Sequence, residues 1–154
     1  ADLAVHHAAE HPDSVAGLVL IDGANPVPEP FLTAADLPEL RALWADMAGT
    51  ARQMDLTGQD MLDVNLEVEA VRAAILDRYR RIERPISMIM STAMAGDSAE
   101  GRTPWRNRNW RAGVERLVRE HPVVSATWLD ADHGLVVTHA PDIAGIIRRR
   151  LARC

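Results

Sequence analysis

Three short apolar runs punctuate the chain: residues 16–21 (AGLVLI), Ile86–Ser91 (ISMIMS) and residues 123–129 (VVSATWL). Each is continuous rather than alternating, the pattern of parallel strands covered on both faces. Residues 1–10 and 110–120 have helical patterns, with Val114, Leu117 and Val118 forming the apolar face of the second. Each ends in Glu-His-Pro before a strand begins, and proline disfavours the helical conformation at the residue before it, so Pro12 and Pro122 act as helix stops. A last helix is predicted from Pro141, with Asp142 in its first turn and Ile143, Ile146, Ile147 and Leu151 on one face. Arg148, Arg149, Arg150 and Arg153 suit its negative C-terminal end. Helix and strand alternate, which predicts an α/β layered domain with a parallel sheet and right-handed crossovers.

The interval 23–84 does not fit a simple crossover. It opens with ANPVPEP, too proline-rich for a helix or a central strand. Two or three helices follow, one with Leu37, Leu40, Trp44 and Met47 on a face, and a longer one with Val68, Val71, Ile75, Tyr79 and Ile82. About sixty residues is far more than a crossover needs, so an inserted helical layer is expected, a lid over the end of the sheet.

Composition adds limits. The chain has 154 residues, 47% of them hydrophobic and 25% charged, which suits one soluble domain. No apolar run reaches the roughly 20 residues of a membrane span, and the first residues lack the basic and apolar regions of a signal peptide, so a cytoplasmic location is expected. The one cysteine, Cys154, excludes an internal disulfide and offers no thiolate metal site. All 17 basic residues are arginine, which reads as the codon bias of a GC-rich, bacterial genome.

Open parallel sheets bind ligands beyond the carboxyl ends of their strands. Asp22 follows the first predicted strand, Asp97 the second, and His133, within WLDADHGLVV, the third. An acid after one strand and a histidine after the last is the order in which a hydrolase triad closes, the acid orienting an imidazole that acts as base. The bland alternatives are a surface-loop histidine at His133, a loop carboxylate at Asp97 and a strand-end turn at Asp22-Gly23. Ser91 ends a strand, but no glycine-flanked sharp turn surrounds it, so a satisfied hydroxyl is expected there.

ADLAVHHAAEHPDSVAGLVLIDGA resembles the helix and strand that follow the nucleophile elbow in the α/β-hydrolase superfamily. DADHGLVVTHAPDIAGIIRRRL is similar to its catalytic-histidine loop and final helix, and PISMIM followed by Asp97 to its penultimate strand and acid loop. The resemblance implies the C-terminal part of that fold: a core helix and strand in residues 1–28, a helical lid in 29–84, and a core with both site loops in 85–154. It implies His133 as general base and Asp97 as orienting acid, with Asp22 as the alternative position. The family's G-x-S-x-G turn is absent, so the nucleophile is expected on a complementary N-terminal half, with this chain beginning just past the elbow and inert alone.

The implied activity is that of a serine hydrolase of the esterase, lipase, lactonase or thioesterase kind, needing no cofactor and acting on a small substrate with an apolar part. Trp44, Met47 and Trp105 are candidates for the pocket lining, with core packing the alternative for each. An aspartate nucleophile would instead suit an epoxide or alkyl halide, and a non-catalytic binding fragment of the same fold is the rival of another class. No metal site is expected, because adjacent His6 and His7 point to different sides of a helix. EGRTPWRNRNWR interleaves arginine with tryptophan, but the net charge of −5 argues against nucleic-acid binding and for a solvated loop and helix start.

Overall fold

The apolar runs become β1 (Leu18–Ile21), β2 (Ile86–Ser91) and β3 (Val124–Leu129), joined in one parallel sheet of order β1-β2-β3. The computed structural model describes residues 1–31, 36–38, 41–42 and 57–152. Register pairs Leu20 with Met88, Ile21 with Ile89 and Ile89 with Thr127. β2 is central and buried along its whole length.

Its side chains alternate between two cores, as the two-residue period of a strand requires. Ile86, Met88 and Met90 join Val5 and Ala8 of α1 (Asp2–Glu10) and Trp110, Val114 and Leu117 of α4 (Thr103–Glu120). Ile89 faces the other way, against Leu135 of α5 (Leu135–Thr138) and Ile143 and Ile146 of α6 (Ala140–Leu151). Helices therefore cover both faces, which is why the strand sequences read as unbroken apolar runs. Among the described residues, nothing pairs with the outer edge of β1, where Val19 is 37% exposed.

Of the elements among the described residues, α2 (Gly58–Ala73) and α3 (Ile75–Tyr79) lie between β1 and β2. Thr57 and Asp60 cap α2 reciprocally, each side chain accepting from the other's backbone N–H. The single long apolar face expected over Val68–Ile82 is broken at Ala74, whose N–H turns back to the carbonyls of Val71 and Arg72. Only the later part of that face enters the core: Ile75, Tyr79 and Ile82 are buried, whereas Val71 is 41% exposed. The α4 helix starts earlier than the predicted loop allowed, because Pro104 fits its first turn and Asn109 and Trp110 face inward. No helix among the described residues is long and apolar enough to cross a membrane.

Candidate active site

Asp22, Ser91 and His133 meet at the carboxyl ends of the three strands. Asp22 N–H extends the ladder by donating to the Ile89 carbonyl at 2.9 Å, and then the backbone turns left-handed, with φ of 43° at Asp22 and 55° at Ala24. Such a conformation costs a non-glycine residue about 1–3 kcal/mol and persists only where its surroundings fix it. Here the Tyr79 hydroxyl donates to the Ala24 carbonyl at 2.7 Å. Gly23 lies so close to the start of α1 that a Cβ there would stand 2.7 Å from that of Ala1.

The turn aims the Asp22 carboxylate across the ends of β1 and β2. Its Oδ1 accepts the Ser91 N–H at 2.8 Å, and the Ser91 hydroxyl lies 2.9 and 2.7 Å from its two oxygens. Its Oδ2 accepts His133 Nδ1–H at 2.8 Å. The Asp22 side chain is 2% exposed and that of His133 64%. A buried carboxylate thus holds one nitrogen of a largely exposed imidazole, and Nε2 has no hydroxyl or thiol bonded to it among the described residues. The hydrogen bond from Asp22 raises the His133 pKa, its charge and that of Asp132 add to this, and desolvation and the positive charge of Arg72 oppose it. Trp110 stands edge-on to the imidazole, ring centroids 6.5 Å apart.

The structure places Asp22, the alternative position, and not Asp97, in hydrogen bond with His133. The loop after β2 is pinned to α4 by Asn107, which accepts from Ala95 N–H and donates to the Gly96 carbonyl, both at 2.8 Å. That leaves Asp97 exposed on the outside of the loop, without a partner among the described residues. The two sequence neighbours of His133 are also engaged elsewhere: Asp130 accepts from Thr92 Oγ1 and Asp132 from Gly134 N–H. Ser91 is the satisfied strand-end hydroxyl expected, but its partner is the site carboxylate.

Trp105 packs edge-on to Phe31 at 6.3 Å, and Phe31 lies 5.8 Å from Trp110, so Trp105 sits two rings away from His133. Trp44 and Met47 lie outside the described residues. Trp110, beside the imidazole, is an aromatic that the sequence alone allows equally as pocket lining or as core. Elsewhere, an exposed serine–histidine contact joins His7 Nε2 of α1 to Ser14 Oγ at 3.1 Å, with no carboxylate bonded to the imidazole among the described residues.

No family model and no curated protein matches this sequence. Solved structures similar in fold include three hydrolytic enzymes. E-2-(acetamidomethylene)succinate hydrolase has a TM-score of 0.56 at 17% identity, over 94% of this chain and 61% of that one. A carboxylesterase of the ammonia-oxidizing thaumarchaeon Nitrososphaera gargenis has a TM-score of 0.63 at 14% identity, over 98% and 61%. The thioesterase domain from the curacin biosynthetic pathway has a TM-score of 0.52 at 13% identity, over 96% and 62%. The chain spans about three fifths of the length of these structures. With its parallel strands, flanking helices and strand-end site, it has the fold of the α/β-hydrolases, as part of that architecture.

Proposed function

We propose that residues 1–154 form the acid and histidine portion of a serine hydrolase acting on an ester, thioester, lactone or amide. The observation that carries this is the hydrogen bond at the strand ends between buried Asp22 and His133 Nδ1, which leaves Nε2 of a largely exposed imidazole without a hydroxyl or thiol partner among the described residues. Asp22 rather than Asp97 is the orienting acid in this reading. It fixes the tautomer with the proton on Nδ1, so that Nε2 is the basic nitrogen.

A serine from protein outside these residues attacks the substrate carbonyl while His133 Nε2 takes its proton. The resulting imidazolium is stabilised by Asp22 and returns the proton to the leaving group as the acyl–serine bond forms and the old bond breaks. Water then attacks the acyl group, His133 again accepting and returning a proton, and the acid product leaves. The unpaired edge of β1 supports a neighbouring strand that carries the nucleophile, because an exposed strand edge invites pairing. In this reading the lid is the part of residues 29–84 ahead of α3, since Ile75, Tyr79 and Ile82 belong to the core.

The test is covalent labelling. In a protein that joins residues 1–154 to the segment carrying the nucleophile, a fluorophosphonate probe should attach to a serine of that segment, and His133→Ala should nearly abolish the labelling. Labelling unaffected by His133→Ala would overturn the assignment.

A further inference from the structure

A cleft of about 480 Å³ opens between the loop after β1 and helix α2, with Pro26, Val27 and Pro30 on one side, Glu69 and Arg72 on the other, and Arg116 at its rim. Its wall is linked to the site. Glu69 accepts the Phe31 N–H at 3.2 Å, Phe31 packs on Trp110, and Trp110 stands against His133.

The ionisable groups of the cleft differ in how well they are satisfied. Arg116 is paired with Glu120 at 3.0 Å. Burial raises the Glu69 pKa and so favours its neutral form, although Arg72 and the Phe31 N–H oppose this. Among the described residues, the Arg72 guanidinium has ion-pair neighbours but no hydrogen bond. Its nearest carboxylates are Asp2, 3.7 Å from Nε, and Glu69, 3.8 Å from Nη1, and its buried Nε is without an acceptor. A guanidinium 24% exposed, held in place by two carboxylates beyond hydrogen-bonding reach, lacks the acceptors that its planar donors match best. Its charge is also felt at His133.

We propose that this cleft receives an anionic part of the substrate and that Arg72 binds its free carboxylate. The substrates are then half-esters, or the corresponding thioesters or amides, of dicarboxylic acids. Apolar walls take the connecting methylenes, and one edge of the guanidinium, formed by its two Nη groups, takes the carboxylate oxygens in a bidentate pair. This rests on the reading of Asp22 and His133 as the working pair of a hydrolase.

The experiment uses the complete hydrolase and two esters of equal chain length, p-nitrophenyl pentanoate and p-nitrophenyl hydrogen glutarate. The glutarate should be preferred by about tenfold or more in kcat/KM, chiefly through KM. At a pH above the acid limb, Arg72→Gln should bring kcat/KM for the glutarate down to the level of the pentanoate, and Arg72→Lys should restore part of the preference. The wild-type comparison does not depend on any variant folding. Equal turnover of the two esters, or a preference that survives Arg72→Gln, overturns the carboxylate site and leaves the hydrolase reading standing. Hydrolysis of neither ester, together with no fluorophosphonate labelling, overturns both.

Discussion

Ser91 gives both its backbone N–H and its hydroxyl to the carboxylate of Asp22, so the last residue of β2 fixes the acid that follows β1. Both residues are buried, and a hydrogen bond to a buried charge contributes about 1.5–3 kcal/mol. Ser91→Ala leaves the N–H contact and removes the hydroxyl. It should lower stability by about that amount, read as a drop in melting temperature. It should also lower kcat by about tenfold with KM little changed, because the freed carboxylate orients His133 less well.

The two acids of the sequence separate cleanly in a mutational test. Asp22→Asn keeps the shape of the side chain but presents His133 with an amide, which no longer selects the tautomer that makes Nε2 basic. The expected loss in kcat is about 10⁴-fold, as for a triad acid. Asp97→Asn alters an exposed loop residue and should change kcat by less than about twofold, in line with the small effects of surface substitutions. Hydrolysis of one p-nitrophenyl ester by both variants is sufficient to decide between them.

The pH profile follows from the imidazole. The proposed base, His133, could act only when neutral, and its hydrogen bond to Asp22 raises its pKa, so the acid limb of kcat/KM should lie above the ordinary histidine value of about 6.5. Residual activity of Asp22→Asn should have its limb at lower pH, because the groups that favour the imidazolium are gone. Arg72→Gln should move the limb the other way, because the opposing positive charge is removed. Stability carries the same sign. A raised folded-state pKa means that the pair stabilises fully below about 6.5 and that this contribution fades as pH rises through the folded value.

What was legible in the sequence divides along physical lines. The strands were, because burial on both faces writes itself as unbroken apolar runs, and β2 matches its predicted bounds. The break at Ala74 was not, because Val68, Val71 and Ile75 keep helical spacing across it, and only the docking of α3 on α1 decides which of them are buried. His133 was legible from its place between the last strand and the last helix. Its hydrogen-bond partner was legible only as two alternatives, since Asp22 and Asp97 both follow strands and the choice depends on Asn107 pinning one loop and Ser91 capturing the other carboxylate. Arg72 carried no local signal, because its position beside the cleft arises only when α2 packs over the loop after β1.

That packing of helix against loop makes the last prediction. Gly113 of α4 faces Asn25 and Pro26, and a Cβ there would collide with Asn25 Oδ1 and stand 3.0 Å from the Pro26 carbonyl. Asn25 cannot simply withdraw, since its Nδ2 donates to the Trp110 carbonyl at 2.6 Å and it is fully buried. Gly113→Ala should therefore destabilise by about 1–3 kcal/mol despite the better helix propensity of alanine. It should also lower kcat, because the displaced loop continues directly from Asp22 and the strained Asn25 contact pulls on the residue beside His133. Gly145→Ala in α6 is the contrasting case. Its Cβ would meet only the mobile end of Arg149 at 3.3 Å, so the ordinary helix gain of about 0.5–1 kcal/mol should appear as a higher melting temperature with kcat unchanged. Equal stabilisation by both substitutions would mean that α4 and the loop do not make the close contact that holds the site.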